Sequence, residues 1–293
     1  MWQLSFGVFF VFFVAQTLVK RRLVLASDVP SSITSLLSYI LGIVPLGLLV
    51  GLSIDHAVNW SWWVAVLLVI EGLFLGIYSL LSLQAFRFLP TAYFQTIFQG
   101  HAILVIILGW LLLSEKLSPL QVIGAAIVLG SALLAIWAPV RAHRKGTKPI
   151  QHFKKGVLLT AGSAVAMSIG LVAERATMQY MDLGGYFIVG FMAQGIGAAA
   201  IALPQLVRYP LRTIPGTVVR RSALFGILSC GVGFSYLYAL SAAGNISLIT
   251  ALKAFGLPLV AIAAHCFLGE RDNNKLLWAA ILIGVCGVII TAM

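Results

Sequence analysis

Charge is what this sequence has least of. Over 293 residues only 9% are Asp, Glu, Lys or Arg, against 61% hydrophobic, and the mean hydropathy is +1.04. A soluble domain carries about 25% charged residues, so this chain cannot wet a soluble surface and reads as a polytopic membrane protein. Acids are scarcer still, eight against nineteen bases. There is no Gly-Lys-Ser/Thr phosphate loop, which argues against pumping by its own ATP hydrolysis. There is no His cluster, no paired carboxylates at one depth and no Ser-His-Asp arrangement, so a membrane-embedded enzyme is disfavoured. The three cysteines, Cys230, Cys266 and Cys286, all fall in apolar runs without a close partner and read as small buried hydrophobes. No metal or cofactor is expected. The first apolar stretch lacks a positive n-region and a small-residue cleavage site, and reads as a retained helix rather than a signal peptide.

What is present is apolar length. A bilayer takes about 20 mostly apolar residues to cross as a helix. Ten spans are expected: 2–19, 31–52, 60–82, 91–113, 118–138, 156–176, 185–207, 222–241, 246–268 and 275–292. The net charge of +11 would suggest nucleic acid if the bases clustered, but they alternate by loop. Lys20, Arg21 and Arg22 fall between spans 1 and 2, Arg87 between 3 and 4. Arg141, Arg144, Lys145, Lys148, Lys154 and Lys155 fall between 5 and 6. Arg208, Arg212, Arg220 and Arg221 lie between 7 and 8, with Arg271 and Lys275 between 9 and 10. Lys116 and Arg175 alone fall on the other side, and Lys253 lies within a span. The positive-inside rule then places the basic loops in the cytoplasm and both termini outside. Trp60, Trp62 and Trp63 would form an interfacial belt at the outer surface.

The halves echo each other. Val14-Ala15-Gln16 reads against Val172-Ala173-Glu174, Pro45 against Pro204, and Glu115 against Glu270. Five spans per half is odd, so the second half must be inverted, an arrangement of transporters with substrate held near the midplane. The expected organisation is a first repeat over 1–138, a basic linker over 139–155 and a second repeat over 156–293. Pairs such as Gly47 and Gly51, Gly72 and Gly76, and the series Gly226, Gly231 and Gly233 read as close helix packing.

Two stretches carry the family resemblance. Leu89 to Lys116 and Asn245 to Arg271 are long apolar spans, each ending in an acid followed by a base. Leu113-Ser114-Glu115-Lys116-Leu117-Ser118-Pro119 and Phe267-Leu268-Gly269-Glu270-Arg271 resemble the helix–Glu–helix pattern of the EamA-type branch of the drug/metabolite transporter superfamily. The resemblance covers essentially the whole chain. It implies an all-α integral membrane fold, ten transmembrane helices in two inverted five-helix repeats, and a secondary transporter that exports amino acids or other small metabolites. Organellar branches carry a lysine midway along the ninth helix that contacts substrate phosphate, and Lys253 sits in a similar place.

The polar groups inside the spans are the candidate site. Glu71 falls at the middle of span 3 and shares a helix face with Tyr78 and Ser82. A carboxyl at that depth is a functional hypothesis by default, here a proton-coupling group. Lys253 could hold a substrate anion or pair with Glu71. Gln95 and Gln99, one turn apart with Thr91 a turn earlier, form a neutral polar face. His101 points roughly 120° from that face in a regular helix and reads as a packing residue. Glu174 and Arg175 are candidate outer-gate groups, and Gln194 and Tyr236 candidate cavity residues. The expected partners are a small-molecule substrate and the lipid bilayer, with no nucleic acid. The chain itself would be a monomer or homodimer in a cytoplasmic (inner) membrane.

Overall fold

The computed structural model describes residues 2–26, 28–113, 118–144, 151–243, 253, 256–270 and 275–292. Glu115, Lys116, Thr250, Arg271 and the 145–150 part of the basic linker lie outside the described residues. Among the described residues the chain is all-helical. We label the helices α1 (Trp2–Leu25), α2 (Ser31–Ser53), α3 (Trp62–Phe88) and α4 (Thr91–Phe98 continuing as Gly100–Leu113). They continue as α5 (Pro119–Arg144), α6 (Phe153–Thr177), α7 (Leu183–Arg208), α8 (Gly216–Ala243), α9 (Gly256–Leu268) and α10 (Lys275–Ala292).

Six of these, α2, α3, α4, α6, α7 and α8, are long and apolar enough to cross a membrane. Val122–Ala138, Gly256–Leu268 and Lys275–Gly287 are shorter apolar helices. Helices outrun the apolar spans because backbone hydrogen bonding continues past the last apolar residue until a cap or breaker stops it. Lys20, Arg21 and Arg22 are therefore not loop residues. They belong to the last turns of α1. Caps set other starts: Ser61 Oγ accepts from Val64 N at 3.3 Å before α3, and Asp182 Oδ1 accepts from Gly185 N at 2.7 Å before α7. The second oxygen of Asp182 accepts from Ala57 N at 2.7 Å, which ties the α2–α3 connection to the α6–α7 connection.

Two helices depart from regular geometry. Within α2, Tyr39–Ile43 forms a π-turn, a local widening often found at functional sites. In α4 the register breaks at Gln99, where Ala102 N bonds back three residues to Gln99 O at 3.0 Å.

Packing follows the small residues. A Cβ at Gly72 would collide with the backbone of Ala193, and one at Gly197 with the backbone of Gly72, so α3 and α7 cross backbone against backbone. A Cβ at Gly42 would come within 2.5 Å of Gly226, which sets the α2–α8 crossing in the same way. Helix α3 also packs on α6, α1 on α8 and α9, α2 on α7 and α8, α4 on α6 and α9, and α5 on α10. One apolar core gathers Phe86, Leu89, Tyr93 and Phe94 with α5, α9 and α10 residues, and a second gathers Phe9, Tyr39, Tyr186, Phe187 and Phe191. Trp60, Trp62 and Trp63 are exposed at 64%, 64% and 55%, as an interfacial belt requires. Cys230 is buried, whereas Cys266 and Cys286 lie on the outer surface of the bundle, contrary to the expectation that all three are buried.

Gly197→Leu should separate α3 from α7, because its side chain has only backbone to displace. Overpacking of this kind costs about 1–3 kcal/mol or more. Thermal unfolding of the purified protein, followed by tryptophan fluorescence, should show a melting point several degrees below wild type, whereas Gly216→Ala, which meets open space, should be neutral.

Candidate functional site

Between the helices lies a cavity of about 220 Å³. Its wall is aromatic and amide-rich. Phe9, Phe13, Phe98, Phe191, Tyr39, Tyr78 and Tyr236 supply rings, and Gln16, Gln95, Gln99 and Gln194 supply amides. The ionisable or weakly basic groups are Lys20, His101, Glu174 and Lys253. Most of the expected site thus converges on one space: Gln95, Gln99, Tyr78, Gln194, Tyr236, Glu174 and Lys253 all line it. Glu71 does not. It is fully buried and sits outside the lining residues. Arg175 is also outside the lining, because adjacent helical residues point about 100° apart.

Behind the wall Glu71 joins a network from three helices. Tyr186 Oη on α7 lies 2.6 Å from Glu71 Oε1 on α3 and 2.9 Å from Glu174 Oε2 on α6. Gln194 Nε2 donates to Glu71 Oε1 at 3.0 Å and to Tyr186 Oη at 3.2 Å. A phenol has one proton to give. Tyr186 can therefore donate to only one carboxyl, and the other must carry a proton and donate to the phenol oxygen. The geometry requires at least one proton on the Glu71–Glu174 pair, a pairing of carboxyls that the sequence was not expected to contain. Glu174 is a member of this network as well as of the cavity wall, so the carboxyl pair is in contact with the space where a ligand would sit.

At Lys253 the ammonium stands 4.2 Å from the centroid of the Tyr236 ring, a cation–π contact. Glu174 and His101 lie within electrostatic reach of it. His101 was expected to face away from Gln95 and Gln99. The register break at Gln99 turns it round to the cavity, where its ring stacks on Phe98 at 4.6 Å and Nδ1 meets Phe98 O at 2.8 Å.

Sequence reasoning missed Tyr186, Gln16, Lys20 and Arg21. Lys20 is 5% exposed, lines the cavity and donates to Ser82 Oγ at 2.6 Å. Its i+4 spacing from Gln16, which also lines the cavity and donates to Ser229 Oγ at 2.8 Å, was the available signal. Arg21, next along, makes the ion pair found among the described residues, Nε to Glu270 Oε1 at 2.8 Å. Its guanidinium also donates to Phe86 O, while Glu270 Oε2 accepts from Thr91 N at 2.8 Å. One acid thus joins the end of α1, the start of α4 and the end of α9. The acid–base ending of the second half was visible in the sequence; its partner across the fold was not.

No family model matches the chain, and no curated protein matches it. Among solved structures, one described only as "Crystal structure of protein" superposes with a TM-score of 0.64 over 97% of this chain and 97% of its own, at 22% identity. At that identity the likeness is one of fold.

Tyr186→Phe removes the group that, among the described residues, both carboxyls address. It leaves one buried carboxyl without the phenol donor and the other without its acceptor, an omission worth about 1–3 kcal/mol. The melting point should fall, and Glu71→Gln, whose amide can still donate to the phenol, should fall less. Equal losses would contradict the proton count given above.

Proposed function

We propose that the chain is a secondary transporter that moves a small polar metabolite across a cytoplasmic membrane by alternating access. On this reading all ten helices span the membrane as two inverted five-helix repeats, 1–138 and 156–293, joined by the basic 139–155 linker. The resemblance to the drug/metabolite transporter superfamily favours export. The observation that carries the reading is the central cavity, polar and aromatic, walled by helices of both halves.

The neighbour relations support the repeat. Helix α3 packs on α6 as α8 packs on α1, α3 on α7 as α8 on α2, and α4 on α6 as α9 on α1. The contacts α2 with α7, α4 with α9 and α5 with α10 join each helix to its own counterpart. An approximate two-fold axis relating α1–α5 to α6–α10 would account for this set of pairs. Gln16 and Glu174, matched in sequence, also face the cavity together.

On this reading the Arg21–Glu270–Thr91 contacts latch one end of the cavity, since they tie α1 of the first half to α9 of the second. The Asp182 contacts hold the connections at the other end. Opening requires one set to part while the other stays, which is a gating motion between rigid helix groups. The proton held between Glu71 and Glu174 makes coupling to proton movement chemically available, because Glu174 meets both the ligand space and the buried phenol. The rival cargo class, phosphorylated or nucleotide-linked metabolites, draws support from the two lysines in the wall.

Counterflow in proteoliposomes, with amino acids, sugar phosphates and nucleotide sugars as separate cargoes, tests the reading. Saturable uptake of one class, abolished without loss of folding by Gln99→Leu, is expected. Absence of flux for every class would sink it. Glu270→Gln should free the latch: a single cysteine placed at Ser229 in a background lacking the native cysteines should react with maleimide about tenfold faster, the equivalent of about 1.4 kcal/mol taken from the closed state.

A further inference from the structure

Lys20 has a setting that its position on α1 does not explain. An ammonium has three N–H donors, and Lys20 uses one on Ser82. The rings of Tyr78, Phe86 and Phe225 stand 5.3, 5.4 and 5.5 Å from it. Such faces attract a cation by about 0.5–2 kcal/mol each, whereas an ion taken from water costs several kcal/mol. Among the described residues Lys20 makes no ion pair. The remaining side of its surroundings is the cavity.

The rest of the wall is largely aromatic: Phe9, Phe13, Phe191, Tyr39 and Tyr236 line the same space. Gln99 offers no open group there, because its amide is closed off from the cavity and its Oε1 packs against Gly284 on α10. The wall therefore presents a cation and an apolar aromatic surface. Its charges are also unequal. Lys20 and Lys253 stand against the Glu71–Glu174 pair, which the shared phenol leaves with at most one negative charge.

We propose that Lys20 binds the anionic group of the cargo, which is a small organic anion with an apolar body, the body lying against the aromatic wall of the cavity. The inference deepens the transport reading and rests on the cavity being its site. It names the cargo class as a net anion, with a carboxylate or a phosphate as the group recognised. A zwitterion would leave the cationic excess unmatched.

The test uses the purified full chain in detergent and probes that share a phenyl ring: benzoate, phenyl phosphate and neutral benzamide. A ligand that binds only the folded state raises the melting temperature. Benzoate or phenyl phosphate should raise it, and which of the two does so assigns the anionic group; benzamide should not. Lys20→Met keeps the aliphatic stem among the rings and should weaken the anion by at least about tenfold, whereas Lys20→Arg should retain it within about threefold. An undiminished response in Lys20→Met overturns the site, as does equal binding of benzamide or no response to either anion in wild type. Flux of the same anion into proteoliposomes separates the two readings. Lys20-dependent binding without flux would sink transport and leave the anion site standing. Flux of a cargo that ignores Lys20→Met would sink the site and leave transport standing.

Discussion

Helices α3 and α7 touch backbone to backbone at Gly72 and Gly197, and the rest of the site depends on that contact. Glu71 immediately precedes Gly72, and Gln194 lies one turn before Gly197. Only glycine lets the two backbones approach this closely, because any Cβ would meet a carbonyl or a main-chain carbon. The approach brings Glu71 within reach of the Gln194 amide and the Tyr186 phenol. Helix α6 then packs on the other side of α3 and delivers Glu174. A carboxyl this deep in an apolar bundle is tolerable only when neighbours complete its hydrogen bonds. Close glycine packing and the buried acid are thus two parts of one arrangement.

The polar groups fall into two layers. Tyr186 and Glu71 form an inner layer behind the cavity lining, and Glu174 and Gln194 belong to both that layer and the cavity wall. Lys20, Lys253, Gln95 and Gln99 form the wall itself. A change of charge in the cavity can reach the helix contacts through Glu174 or Gln194, with no long chain of side chains needed. At the far end of α1, Arg21 and Glu270 tie the same helix that carries Lys20 to α9. Lys20 at the cavity wall and Arg21 of the ion pair therefore lie on one helix, four and five residues beyond Gln16.

The membrane character was legible from composition, since so few charges leave no other way to place so many apolar side chains. Helix positions were legible too, because a run of apolar residues long enough to span lipid has one conformation available to it. Their ends were not, since α1 carries its helix through Lys20, Arg21 and Arg22 after the hydropathy has fallen. Loop assignment by charge thereby hid Lys20, whose long stem lets it turn back among the rings of Tyr78, Phe86 and Phe225. His101 was misread for a different reason: regular helical phase predicts its direction only if the register holds, and it breaks at Gln99.

By itself the sequence determined which residues are costly to bury, and so which would need partners: Glu71, Glu174, Gln95, Gln99, Gln194 and Lys253 stand out on any apolar background. Tertiary structure alone decided who those partners are. Glu71 goes to Tyr186 rather than to Lys253, Arg21 to Glu270, and Lys20 to an aromatic cage with one face toward the cavity. The physical reason is that burial cost is a property of a single side chain, whereas its compensation is a matter of distance between helices far apart in the chain.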